Sequence, residues 1–185
     1  MAPSRSITSS SATRAESGML ISSRRSWTVC LNQRRCASTV DAYIPAQGDT
    51  LNSLTSQFPG SEITPAALNF VPSPGGVTDV YIKPSLFRAI LANDLPASQA
   101  AELAATQRPI AASALADVSG PPAWASIPSW AVIGTADHAI PPAAQEFMAH
   151  RAHAMVTEIN ASHLSLISQP GKIANVIEEA ARQSS

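Results

Sequence analysis

Two apolar runs of strand length, SWAVIG at 129–134 and MVTEIN at 155–160, flank the proline-started helical stretch PPAAQEFMAHRAHA. SWAVIG has no polar alternate, which suits a strand covered on both faces, the usual state of strands in parallel sheets. MVTEIN alternates Met155, Thr157 and Ile159 against Val156, Glu158 and Asn160. The helix between them is expected to turn Phe147 and Met148 inward. PGKIANVIEEAAR closes the chain with Ile173, Val176, Ile177 and Ala180 at i, i+3, i+4 and i+7, an apolar helical stripe. Strand, helix, strand, helix at this spacing commits the C-terminal part, 123–185, to the α/β class with a parallel sheet.

Upstream, VDAYIPAQGDT reads as a strand end running into a turn, and Leu51, Leu54 and Phe58 form a helical stripe across 40–58. In 59–122 the PGG of VPSPGGVTDVYI sits between two β-prone runs and predicts a small hairpin. KPSLFRAILANDL predicts a helix from Pro84 that buries Leu86, Phe87, Ile90 and Leu91, and a second helix restarts at Pro96. RPIAASALADVSG reads as a third, shorter helical piece, so this region is expected to be an inserted helical lid. No internal repeat is present.

Charge divides the chain near Val40. Residues 1–39 carry six arginines against the single acid Glu16, a balance of +5, whereas the remainder carries six bases against twelve acids, −6. The Arg- and Ser-rich head has neither helical nor strand periodicity. It reads as disordered or frame-shifted, or as an organelle transit peptide cleaved near RRCAS. With no such signal the expected location is cytoplasmic. A net charge of −1 gives no electrostatic basis for binding nucleic acid or an anionic membrane surface. No apolar run approaches the ~18 residues of a membrane span. Cys30 and Cys36 have neither a zinc spacing nor the count for a disulfide framework.

Asp137 follows SWAVIG in GTADHAIPP, and His163 follows MVTEIN in ASHLS. Adjacent parallel strands point the same way, so both side chains should emerge at the C-terminal edge of the sheet, where open α/β sheets place their ligand sites. A carboxylate accepting from one imidazole nitrogen fixes the tautomer and leaves the other nitrogen to act as a base. Either residue alone also has a purely structural reading: Asp137 as a turn residue or helix N-cap, His163 as a cap. His138 adjoins the acid and should point elsewhere. His150 and His153 lie three apart on a helix with no Cys or carboxylate completing a metal site, which favours a solvated face.

From Val40 to Ala181 the chain resembles the C-terminal part of an α/β-hydrolase, in the small-esterase branch similar to plant methylesterases and hydroxynitrile lyases. The stretches that carry the likeness are AYIPAQGDT, ANDLPASQAAELAATQRPIAASAL, PAWASIPSWAVIGTADHAIPPAAQEFMAHRA and HLSLISQP. The resemblance implies Asp137 as the triad acid and His163 as the triad base, acting on a small-molecule ester with no cofactor and no metal. It also places Phe87, Leu91, Leu95 and Trp124 against the substrate from the lid, although packing explains these four equally well.

The family's nucleophile sits on a G-x-S-x-G strand-to-helix turn ahead of the acid and base. None of the eight glycines forms that motif, and an HGGG-type loop is absent. The sequence therefore predicts a partial hydrolase fold, inactive as written because its base has nothing to activate. The rival reading is a non-catalytic small-molecule-binding relative of the same fold.

Overall fold

The structure, a computed structural model, describes residues 36–184. The readings of residues 1–35, Cys30 included, fall outside them. Among the described residues the core is a three-stranded parallel sheet in the order β1 (Ala37–Val40), β5 (Ser129–Gly134), β6 (Met155–Ile159). β1 takes up the last residues of what composition assigned to the basic head.

β5 is buried along its whole length, as its unbroken apolar run requires. Its alternate side chains supply two separate cores. Ala131 and Ile133 face α4 (Pro142–Arg151), packing with Ile44, Leu54, Ile140, Ala144, Met148 and Ala149. Val132 joins Ile159, Ala161 and Ile173 beneath α6 (Pro170–Gln183), and Trp130 joins Cys36 and Ala180 there. Helix, sheet and helix form the three layers expected of a parallel sheet. At about 25 cal/mol per Å² of apolar surface, residues as enclosed as Ile133, Met148 and Ile173 each stabilise this arrangement by roughly 1.5–3 kcal/mol.

Between β1 and β5 the chain makes α1 (Leu51–Ser56) and then a second, antiparallel sheet. Thr50 caps α1 reciprocally with Ser53: each side-chain oxygen accepts from the other's backbone N–H at 3.0 Å. β2 (Leu68–Ser73) and β3 (Val77–Ile82) form the hairpin that PGG predicts, with Gly75 and Gly76 at φ 80° and 77°, left-handed conformations that glycine adopts without strain. Helices α2 (Pro84–Leu91) and α3 (Ala97–Ala105) follow, enclosing Phe87, Ala92, Leu95, Ala100 and Ala104.

Three expectations are corrected. The third helical piece shrinks to a 3₁₀ helix at Ala112–Leu115, and the residues before it form a two-residue strand, β4 (Ile110–Ala111), paired with β3. Pro109 disfavours helix for the residue before it. Gln107 grips the Ile82 backbone through both ends of its amide (3.0 and 2.8 Å) and leads the chain back along β3. Leu86 is 38% exposed, because the inner face of α2 is set by Phe87 and Ile90 and leaves Leu86 on the flank. Phe147 is 40% exposed: the inner stripe of α4 runs through Ala144, Gln145, Met148 and Ala149, and Phe147 packs at the rim against Phe58, ring centroids 5.3 Å apart. Among the described residues no helix is long and apolar enough to cross a membrane.

Candidate active site

The parallel pairing of β5 with β6 continues past the strand ends. Thr135 N–H donates to the Ile159 carbonyl (2.9 Å) and Ala136 N–H to the Ala161 carbonyl (3.1 Å), so the two loops leave the sheet side by side. One carries Asp137 and the other His163, and their side chains meet: His163 Nδ1 lies 2.9 Å from Asp137 Oδ2. Residues 26 apart in sequence are thus brought into contact at the C-terminal edge, where the two strand patterns put them.

Asp137 is 2% exposed, and four donors satisfy its two oxygens. Oδ1 accepts from the backbone N–H groups of Ala139 (2.7 Å) and Ile140 (3.0 Å). Oδ2 accepts from Gln145 Nε2 (2.8 Å) and faces the imidazole. A buried carboxylate held this way cannot swing away from the ring. His163 is raised above the usual imidazole range: burial opposes its charge, but the hydrogen bond its ring donates to Asp137 and the negative charges of Asp137 and Asp41 outweigh that. With Nδ1 engaged, Nε2 is the nitrogen left to take up a proton.

The surrounding contacts fix the loops. Asn93 Nδ2 donates to the Ala136 carbonyl (2.9 Å) in the acid loop. Asp94 accepts from Ser162 N–H (3.1 Å) and from the Ser162 hydroxyl, and Leu164 N–H donates to the Leu91 carbonyl (3.1 Å). The turn joining α2 to α3 therefore touches both loops. Gly134 packs so closely that an added Cβ would stand 2.8 Å from the Ala161 carbonyl oxygen, 2.9 Å from Asp41 Oδ1 and 3.0 Å from the Ser162 carbonyl oxygen.

Of the residues assigned to substrate contact, Phe87, Leu91 and Leu95 come together in the α2–α3 cluster, with Leu164, the neighbour of His163, packed against it. Phe87 and Leu95 are buried there among their own neighbours. Trp124 stands apart: its indole N–H donates to the Pro45 carbonyl (2.9 Å) and its ring packs on the Ile44–Leu54 core. His138 turns away from the pair, Nδ1 3.3 Å from Glu62 Oε1, and His150 and His153 are exposed. Sequence reasoning missed Gln145, Asp41, Asp94 and Ser162. A buried polar residue on the inner stripe of α4 was the available signal for Gln145. A groove of about 310 Å³ lined by Trp130, Met155, Thr157, Val176 and Glu179 lies at the opposite end of the strands from the pair.

The fold is thus a parallel sheet flanked by helices, with a buried carboxylate and a histidine in contact on successive strand ends. A family model described as the alpha/beta hydrolase family matches residues 17–176, and the chain belongs to that family. No curated protein matches. Among solved structures, polyneuridine aldehyde esterase superposes with a TM-score of 0.64 at 16% identity, over 79% of this chain and 62% of that one. A methylesterase from Arabidopsis gives 0.59 at 16%, over 79% and 58%. Tomato methylketone synthase I complexed with 2-tridecanone gives 0.61 at 14%, over 81% and 62%. The chain spans about three fifths of the length of these structures.

Proposed function

We propose that this chain carries the acid–base half of a carboxylic ester hydrolase for small-molecule esters. In that chemistry His163 Nε2 takes the proton from an attacking hydroxyl and returns it to the leaving group, while Asp137 holds the ring and stabilises the imidazolium. The observation that carries this reading is the 2.9 Å contact between His163 Nδ1 and an Asp137 already satisfied by three other donors. The esterase-like solved structures support the substrate class. The segment containing α2 and α3 acts as a lid over the pair, and the protein works in the cytoplasm.

The sequence contains no G-x-S-x-G turn, so by itself the chain supplies a base without a nucleophile. Purified full-length chain should hydrolyse p-nitrophenyl acetate at the same rate as His163→Gln. The pair itself is read separately by proton NMR, where a low-field imidazole N–H resonance should be present and should vanish in Asp137→Asn. Ester turnover that depends on His163 would overturn the inactivity; an N–H signal unchanged by Asp137→Asn would overturn the pair.

A further inference from the structure

The pair is not the whole of the charge at this edge. Asp41 sits directly after β1, beside the end of β5, and is 3% exposed. Its backbone adopts φ 44°, a left-handed conformation that side-chain-bearing residues seldom take, though Asp tolerates it better than most. What holds it there is a clamp. Its N–H donates to the Val132 carbonyl (3.0 Å), Oδ1 accepts from Gly134 N–H (2.7 Å), and Oδ2 accepts from the Ser165 hydroxyl. Gly134 is the last residue of β5, and the fully buried Ser165 lies two residues after His163.

We infer that Asp41 is a positioning residue for the Asp137–His163 pair, fastening the end of β5 to the segment after His163 and presenting a second negative charge to the imidazole. This rests on the reading of Asp137 and His163 given above and adds a member that touches neither side chain by hydrogen bond. Each neighbouring element contributes to its state: Gly134 N–H from β5, the Ser165 hydroxyl from α5 (Ser165–Ser168), the His163 ring from the base loop and the Asp137 carboxylate from the acid loop. Burial pushes the Asp41 carboxyl up to about 6, against the lowering pull of Ser165, Gly134 and His163, while Asp137 reinforces the rise. Its charge therefore develops over the pH range in which an ordinary histidine gives up its proton. As the carboxyl ionises, the imidazole is held protonated to higher pH, so proton release from His163 is delayed and broadened.

The test is a histidine NMR titration on the full chain, with His163 identified among the four histidines by the signal lost in His163→Gln. Asp41→Asn keeps an acceptor for Gly134 N–H and a partner for Ser165 while removing the charge. It should lower the His163 midpoint by roughly 0.5 pH unit, less than the 1–3 units typical of a carboxylate in direct contact, and sharpen the curve. Ser165→Ala keeps the charge and breaks one arm of the clamp, so amide exchange at residues 162–165 should quicken with the β5 amides unchanged. An Asp41→Asn midpoint within 0.1 pH unit of wild type, or unaltered exchange in Ser165→Ala, overturns the inference. A His163 midpoint that ignores Asp137→Asn instead overturns the pair, so the two failures are distinguishable. Should Asp41→Asn not fold, Asp41→Glu keeps the charge on a longer arm. It should leave the midpoint within 0.2 pH unit of wild type and quicken exchange at 162–165; unaltered exchange overturns the inference.

Discussion

Replacing Gly134 by alanine should be among the most damaging single-methyl changes available to this chain. The new Cβ would meet two backbone carbonyl oxygens, of Ala161 and Ser162, at 2.8 and 3.0 Å, and the Asp41 carboxylate at 2.9 Å. None of these is the free end of a flexible side chain. The carbonyls belong to the loop that carries His163, and Asp41 is pinned by its own hydrogen bonds. Forcing atoms into a packed site costs about 1–3 kcal/mol. Moving Asp41 aside also stretches its bond to Gly134 N–H, a hydrogen bond to a charge-bearing group worth about 1.5–3 kcal/mol. The expected loss is therefore about 2.5–6 kcal/mol, against a total stability for small domains of about 5–15. Gly171, in the first turn of α6, is the control, because nothing lies within 4 Å of an added Cβ. Gly171→Ala should stabilise by up to about 1 kcal/mol. Urea unfolding monitored by tryptophan fluorescence measures both. A Gly134→Ala midpoint equal to wild type would refute the close packing of β5 on the base loop.

Stability should also decline as pH rises through the mildly acidic range. Asp41 is raised in the fold from 3.8 to about 6, so its stabilising contribution is complete below about 4 and is lost as pH climbs through 6. That change amounts to about 3 kcal/mol at the conversion of 1.36 kcal/mol per unit. His163, also raised, adds in the same direction above 6.5. Thermal unfolding at pH 5 and pH 7.5 checks the sign, and a higher midpoint at pH 7.5 would contradict it. Gln145→Leu removes one of the four donors to Asp137 and should cost about 1–3 kcal/mol by urea unfolding, leaving the far end of the sheet, around Trp130, unperturbed in fluorescence.

The layered core was legible because periodicity reports burial directly. SWAVIG could only be covered on both faces, and the stripe Ile173–Ala180 could only lie on one side of it. Asp137 and His163 were legible because strand direction alone puts both at one edge. Asp41 was not, since an aspartate after a strand looks like any turn residue, and its role depends on Ser165, 124 positions away. Phe147 misled for a related reason. Hydrophobicity proposes which side of α4 turns inward, but the rotation is settled by small alanines meeting β5 and by Gln145 reaching Asp137. β4 was hidden by its brevity: two residues carry no period, and a side-chain amide, that of Gln107, sets up the pairing.

The turn between α2 and α3 ties three parts of the molecule together at one place. Asn93 grips the acid loop, Asp94 grips Ser162, and Leu91 receives Leu164, so the α2–α3 segment is fastened beside the histidine. Drift in sequence at Asn93 or Asp94 therefore disturbs the alignment of Asp137 with His163, whereas drift on the β2–β3 hairpin, where Phe70, Val71 and Val77 stand in solvent, leaves that alignment alone.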